Sequence, residues 1–404
     1  MQTRIMISMR GSSRKENRKN DSFVKALALY FIMLPIGTLS IGTVGSLLKI
    51  FALLPGIIWI LESHATQKCP CVIYSALFVF WLALSMFWTV DLAGSYQVTS
   101  SYLMFLMMLV AVAAYEYSDQ DILFLKKSLI WSARLTVVCT ILFAGRIDGR
   151  LRMSGIMNED PNYLCMYFSF GLAYCMEKVW GNNKISDRLK ALVELLVYIY
   201  IIIFTGSRGG SLAIMTVLVV AYFQMDRRKP NTLRIFAGKC AILLMGMIGV
   251  VLLANMIPET VLQRFNPTVI GESGGVGRYQ LWLDSITAFG NANVFRQLFG
   301  FGTGSILTVA RKFSFSRIAV VHNIFLQTLL EVGLIGLVLF LVFVLGFWNG
   351  ARKSGNIFAL SVISGMIVLS LSISMYTFKP YWNIMLFILC LTRQKESLDI
   401  QEVF

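Results

Sequence analysis

Apolar runs close to the ~20 residues that a helix needs to cross a bilayer recur from one end of this chain to the other. No motif restricts the fold as strongly as that recurrence. The runs fall at 24–39, 43–61, 71–89, 98–116, 122–144, 161–178, 189–205, 209–225, 235–256, 322–348, 355–376 and 380–393. Of 404 residues, 57% are hydrophobic and only 14% charged, which excludes an ordinary soluble domain. The pattern predicts an all-α polytopic membrane protein of about twelve transmembrane helices, with one large extracytoplasmic loop between helices 9 and 10.

The net charge of +15 would point to nucleic acid in a soluble protein. In a membrane chain it reports orientation, because Lys and Arg collect in cytoplasmic loops. Residues 1–22 are polar and basic, and the run after them lacks a small-residue cleavage site, so it reads as an uncleaved first helix. With the N-terminus inside and the chain alternating, roughly two-thirds of the Lys and Arg residues fall on inner segments. That assigns both termini to the cytoplasm and divides the chain into four parts. These are a basic N-terminus (1–22), helices 1–9 (23–256), an extracytoplasmic loop (257–321), and helices 10–12 with a cytoplasmic tail (322–404). Neither a tandem repeat nor a pair of matching halves is visible.

The seven cysteines lie mostly inside apolar runs, where a free thiol behaves as a small hydrophobe. Cys69-Pro-Cys71 is too close-set and isolated for a zinc site, and the odd count argues against a disulfide framework. No metal and no cofactor is expected.

Under this topology several outer helix ends present arginines. Arg150-Leu151-Arg152 leads towards Asn158-Glu159-Asp160-Pro161-Asn162 before the sixth span. Thr205-Gly206-Ser207-Arg208-Gly209-Gly210 forms a tight turn between the seventh and eighth. Arg278 lies in the large loop, and His322 opens the tenth span. Charges at this depth are costly unless they face a polar cavity or a charged ligand. The ordinary reading of Arg208 is a snorkelling interfacial side chain. Its flanking glycines also permit backbone N–H groups to face an anion, and a planar guanidinium suits bidentate contact with phosphate. A histidine at a helix start is most often a simple boundary residue, yet its ordinary pKa of about 6.5 fits His322 for acid–base work at neutral pH.

Glu331, nine residues on, is too distant for direct contact with His322 and reads equally as a buried carboxylate pairing within the bundle. Gly300-Phe301-Gly302-Thr303-Gly304 lacks the strand, helix and lysine of a phosphate loop and reads as a turn returning the chain to the membrane. From Arg278 to Phe289 the spacing predicts a short amphipathic helix near the bilayer surface, with Leu281, Trp282, Ser285, Ile286 and Phe289 on one face. Tyr279, Trp282 and Tyr381 are placed for sugar stacking or, more commonly, for an interfacial aromatic belt.

These elements resemble, in their order, the O-antigen ligase and O-antigen polymerase superfamily of bacterial envelope glycosyltransferases. The resemblance rests on Ser207-Arg208-Gly209-Gly210, on Gly277-Arg278 with Leu281-Trp282, and on Gly300-x-Gly302. It is completed by His322-Asn323 with Glu331-x-Gly333-x-x-Gly336 and covers roughly residues 150–375. It implies a metal-independent, inverting transfer of glycan from an undecaprenyl-diphosphate donor at the outer face of the bacterial cytoplasmic membrane. Carried over by position, Arg208 and Arg278 would hold the diphosphate, and His322 would act at the acceptor hydroxyl as base or orienting group. Ser207, Gly209, Trp282 and Asn323 would complete the substrate site, with Arg150 or Arg152 adding to its anionic pocket.

All activities in the superfamily share the donor, so donor-side residues cannot separate them. A polymerase of lipid-linked repeats, for O-antigen, capsule or exopolysaccharide, is the expectation, since the chain shows no appended outer domain for a protein acceptor. Its partners would be the lipid-linked donor and acceptor, a flippase and a chain-length regulator, with no nucleic acid. A ligase acting on lipid A–core or protein is the alternative. A polysaccharide flippase is a second, which fits less well because transporter sites sit near the midplane, whereas these charges gather at one face.

Overall fold

The computed structural model describes residues 21–36, 40–41, 45–62, 69–147, 149–153, 160–180, 183–224, 259–262, 278–374 and 379–394. The expected span at 235–256, most of the basic N-terminus, His64, Asn158, Glu159 and Gly277 lie outside these residues.

Each of the other expected spans overlaps a helix or a helix pair, with different bounds. In chain order these are α1 (Asp21–Ile32), α2 (Leu47–Glu62), α3 (Pro70–Ser85), α4 (Leu92–Ala113) and α5 (Asp119–Phe143). Next come α6 (Pro161–Tyr167), α7 (Ser169–Trp180), α8 (Ile185–Thr205) and α9 (Arg208–Gln224). A single turn, α10 (Glu259–Leu262), precedes the loop helices α11 (Arg278–Gly290), α12 (Val294–Phe299) and α13 (Ile306–Lys312). The chain closes with α14 (Ile324–Lys353), α15 (Ile357–Leu369) and α16 (Lys379–Thr392). Three stretches among the described residues are both long and apolar enough to cross a bilayer: Pro70–Trp88, Leu92–Ala113 and Ile324–Lys353. That is fewer than the about twelve crossings that apolar runs alone predict. The all-α expectation needs one amendment, two short antiparallel hairpins, β1–β2 (Ser40–Ile41 with Gly45–Ser46) and β3–β4 (Ala144–Ile147 with Arg150–Met153).

Helix starts follow local chemistry. Asp91 accepts the Gly94 N–H, Ser118 and Asp121 form a reciprocal capping box, and Pro70 and Pro161 occupy first-turn positions where no N–H is needed. Within the bundle α9 packs on α15, α14 on α3, and α7 on α8. Phe78 stands at the α3–α14 seam, 5.4 Å from Phe340 and 5.6 Å from Phe343. Two half-buried ion pairs brace the helices. Arg134 grips Glu194 with Nε and Nη2 at 2.9 and 3.0 Å, Tyr198 adds its hydroxyl at 2.6 Å, and Lys126 meets Glu177. Pairing of this kind is what makes a buried charge tolerable.

The loop is fastened to the bundle through its glycines. Phe301 and Gly302 donate their N–H groups to the carbonyls of Leu330 and Glu331. Gly300 has φ +78, and a Cβ there would lie 2.3 Å from the Glu331 carbonyl oxygen. Gly333 interrupts α14 at φ 72, and its own Cβ would lie 2.2 Å from the Leu298 carbonyl oxygen. Two backbones touch here because neither carries a side chain. Arg296 closes the seam by donating to Trp88 O at 2.8 Å and Gly300 O at 3.2 Å.

Two expectations are corrected. On α11 the packed face is Leu281, Ser285 and Ala288, with Trp282 and Phe289 flanking it, whereas Ile286 is 53% exposed. Spacing of four and three keeps residues on one stripe, and Ile286 is a full 100° step beyond Ser285. Tyr381 is buried inside the bundle rather than lying in an interfacial belt.

Candidate functional site

The turn between α8 and α9 is dictated by Gly206, which ends α8 in the left-handed region at φ 61. Ser207 then locks it: Oγ accepts the Gly210 N–H at 3.0 Å and donates to Asn162 Oδ1 at 2.7 Å. Asn162 is itself held by Asp160, which caps α6 by accepting from Asn162 N at 2.7 Å and Asn162 Nδ2 at 2.6 Å. Gly209 sits where a Cβ would lie 2.2 Å from Ser372 Oγ, so α9 presses directly on the chain leaving α15. Beyond the turn, Arg152 Nη1 donates to Thr205 O at 2.7 Å, fixing the last carbonyl before it.

The same end of the bundle receives the start of α14. Ile324 N donates to Ser370 O at 3.0 Å, two residues before Ser372. Asn323 caps α14 by accepting from Phe325 N and Leu326 N. Trp282 Nε1 donates to Val321 O at 3.1 Å. Between these two clamps His322 adopts φ 54, a region costly for any residue with a Cβ. Its neighbours hold it there and so fix where its ring emerges.

Arg208 follows Ser207, and its Nε and Nη1 are shut off from solvent with no hydrogen-bond partner among the described residues. A buried guanidinium with idle donors is expensive, and such cost is normally offset by an anion. Electrostatics join the rest. Burial lowers the pKa of Arg278, Asp160 opposing the shift and Arg208 adding to it. Burial also holds the His322 imidazole below its ordinary value, with Arg278 and Arg317 acting in the same sense and Asp160 against them. Burial and the positive charges around it thus bias His322 toward the neutral imidazole.

Arg208, Arg278 and His322, far apart in sequence, thus share one electrostatic site, with Ser207, Gly209 and Asn323 shaping its frame. Arg152 reaches that frame through the Thr205 carbonyl, and Arg150 lies on the same strand, β4. Trp282 serves it through Val321. Glu331 is buried beneath the glycine loop and accepts from Gly304 N, Ile306 N and Gln327 Nε2 at 2.9, 3.2 and 3.0 Å. Sequence reasoning noted the stretch holding Asp160 and Asn162 without giving either a role, and passed over Ser372. The Asp-Pro step announces a helix start, but no local signal places that cap beside Arg278 and His322.

Compared with known families, residues 195–341 match the model described as O-antigen ligase. That segment spans the Arg208 turn, the loop helices and His322 through the first half of α14. No curated protein matches the chain.

Proposed function

The chain is a member of the O-antigen ligase and polymerase superfamily through residues 195–341, and from that premise we propose that it polymerises undecaprenyl-diphosphate-linked repeat units at the outer face of the bacterial cytoplasmic membrane. The observation carrying this reading is that two buried guanidinium nitrogens of Arg208 have no hydrogen-bond partner among the described residues, with the charge of Arg208 acting on Arg278 and that of Arg278 on His322.

In the proposed step the acceptor hydroxyl oxygen attacks the anomeric carbon of the donor sugar. The bond from that carbon to the diphosphate oxygen breaks, and the hydroxyl proton passes to His322. Negative charge grows on the departing diphosphate, where Arg208 and Arg278 stabilise it most in the transition state because both are already in place. Their fixed positive charge supplies at the leaving group what a divalent ion supplies in other transfers. A neutral imidazole is the form able to take the proton. A flippase and a chain-length regulator are proposed as companions of the enzyme, and the loop and both termini take the sides of the membrane given above.

The second reading is transfer of the finished glycan to lipid A–core or protein, favoured by the description of the matching family as a ligase. The donor site is common to both. Purified protein in liposomes is given lipid-linked repeats with EDTA present, wild type beside Arg208→Ala, Arg278→Ala and His322→Ala. A ladder of lengthening glycans from wild type alone supports the polymerase. Transfer only after an outer-core or protein acceptor is added makes it a ligase. Silence in both, with lipid-linked substrate crossing the bilayer, overturns the enzyme reading.

A further inference from the structure

We infer that Asp160 is a positioning residue of this site, the negative group across which Arg278 and His322 are held for the transfer, and not a helix cap alone. The inference rests on the glycosyl-transfer reading above and extends it to a residue of the stretch before α6.

Capping α6 occupies one carboxylate oxygen. Oδ1 takes both bonds from Asn162, and among the described residues Oδ2 takes none. The location of that spare oxygen follows from the bonds that gather four chain segments at one end of the bundle. Asn162 receives the Ser207 hydroxyl, Tyr163 Oη donates to Ser374 O at 2.6 Å, Gly209 abuts Ser372, and Ser370 O receives the Ile324 N–H. Asp160 therefore stands with the starts of α9 and α14, where Arg208 and His322 emerge. Its field reaches both Arg278 and His322.

The charge balance explains why a carboxylate is needed. Among the described residues, the charges acting on His322 are Arg278 from α11, Arg317 from the loop and Asp160. As the acceptor's proton moves to the imidazole, a new positive charge forms amid guanidinium groups. The diphosphate compensates only while it remains bound, and it is leaving. Among the described residues Asp160 is the negative charge that persists through the step, as an orienting carboxylate does for a histidine base elsewhere.

Asp160→Asn separates cap from charge, since asparagine caps a helix as well as aspartate. The chain has only two histidines, so 15N-histidine spectra can follow His322 directly, with His64→Gln giving the assignment. In Asp160→Asn the His322 titration is expected to move to lower pH. The turnover rate is expected to fall at least ~10-fold, less than the ~10²–10⁴-fold contributed by the acid–base group that it positions, without weaker donor binding. Asp160→Glu should restore both in part. An unmoved titration, or an unchanged turnover rate with only a lower melting temperature, would overturn the inference. Should wild type transfer no glycan at all, the enzyme reading fails by itself, and the titration still decides whether Asp160 governs His322.

Discussion

Glu331 and Gly304 meet across 27 residues of chain, the carboxylate Oε2 accepting the glycine N–H at 2.9 Å inside the bundle. With Ile306 N and Gln327 Nε2 on the other oxygen, this carboxylate satisfies the backbone of the glycine loop and is fully buried. These bonds give it a structural role, which a substitution at this position tests. Glu331→Ala would orphan two buried N–H groups, each worth about 1–3 kcal/mol. The expected outcome is a large drop in melting temperature in detergent, with activity per folded molecule close to wild type. Loss of turnover at unchanged melting would show instead that Glu331 acts in the chemistry.

Arg208 should behave in the opposite way. Among the described residues no group satisfies its buried Nε and Nη1, so the fold gains little from the charge. Arg208→Met keeps the bulk and removes a desolvated cation. Thermal melting in detergent is expected to be unchanged or higher, while transfer falls ~10²–10³-fold, as on loss of a transition-state donor. Sites that trade stability for function show this divergence. A fall in both together would make Arg208 an ordinary structural residue.

The sequence made part of this arrangement legible. Helix positions follow from apolar runs because a helix facing lipid or protein needs an apolar surface along its whole length. The Arg208 turn was visible because glycines bracket a serine and an arginine within six residues. What could not be read was which outer residues meet. Glu331 looked open between two roles until the glycine loop folded back over it, and Asp160 is coupled to Arg278 and His322 only through packing of α6, α9, α14 and α15. The outward turn of Ile286 had a similar cause, since the loop core packs on the Leu281, Ser285 and Ala288 stripe of α11.

The pH dependence follows from His322. Its imidazole is held below the ordinary value of 6.5 by burial and by Arg278 and Arg317. The reactive neutral form therefore persists to lower pH, and the acid limb of the pH–rate profile is expected at a midpoint below 6.5. The folded protein resists a proton that the unfolded chain accepts, so stability should decline as pH falls through the unfolded value of about 6.5. Arg317→Gln removes an exposed charge acting on the ring. It should move the acid limb upward by a small amount that disappears in high salt. A limb above 6.5 in wild type would exclude His322 as the group being titrated.

Gly209 tests whether the frame around Arg208 is as tight as its geometry implies. A Cβ at this position would stand 2.2 Å from Ser372 Oγ, 2.9 Å from Ser372 Cβ and 3.1 Å from Asn162 Oδ1. Gly209 lies in the first turn of α9, where alanine would otherwise favour the helix by about 1 kcal/mol. Gly209→Ala alone is therefore expected to lower melting and to reduce turnover by displacing Arg208. In a Ser372→Gly background the nearest obstacle is gone, and the same substitution should cost far less or become favourable. The two changes must then be strongly non-additive in a double-mutant cycle, with a coupling of order 1 kcal/mol or more. Simple additivity would mean that α9 can shift away from Ser372 at little cost, and that the Arg208 turn is not held by this contact.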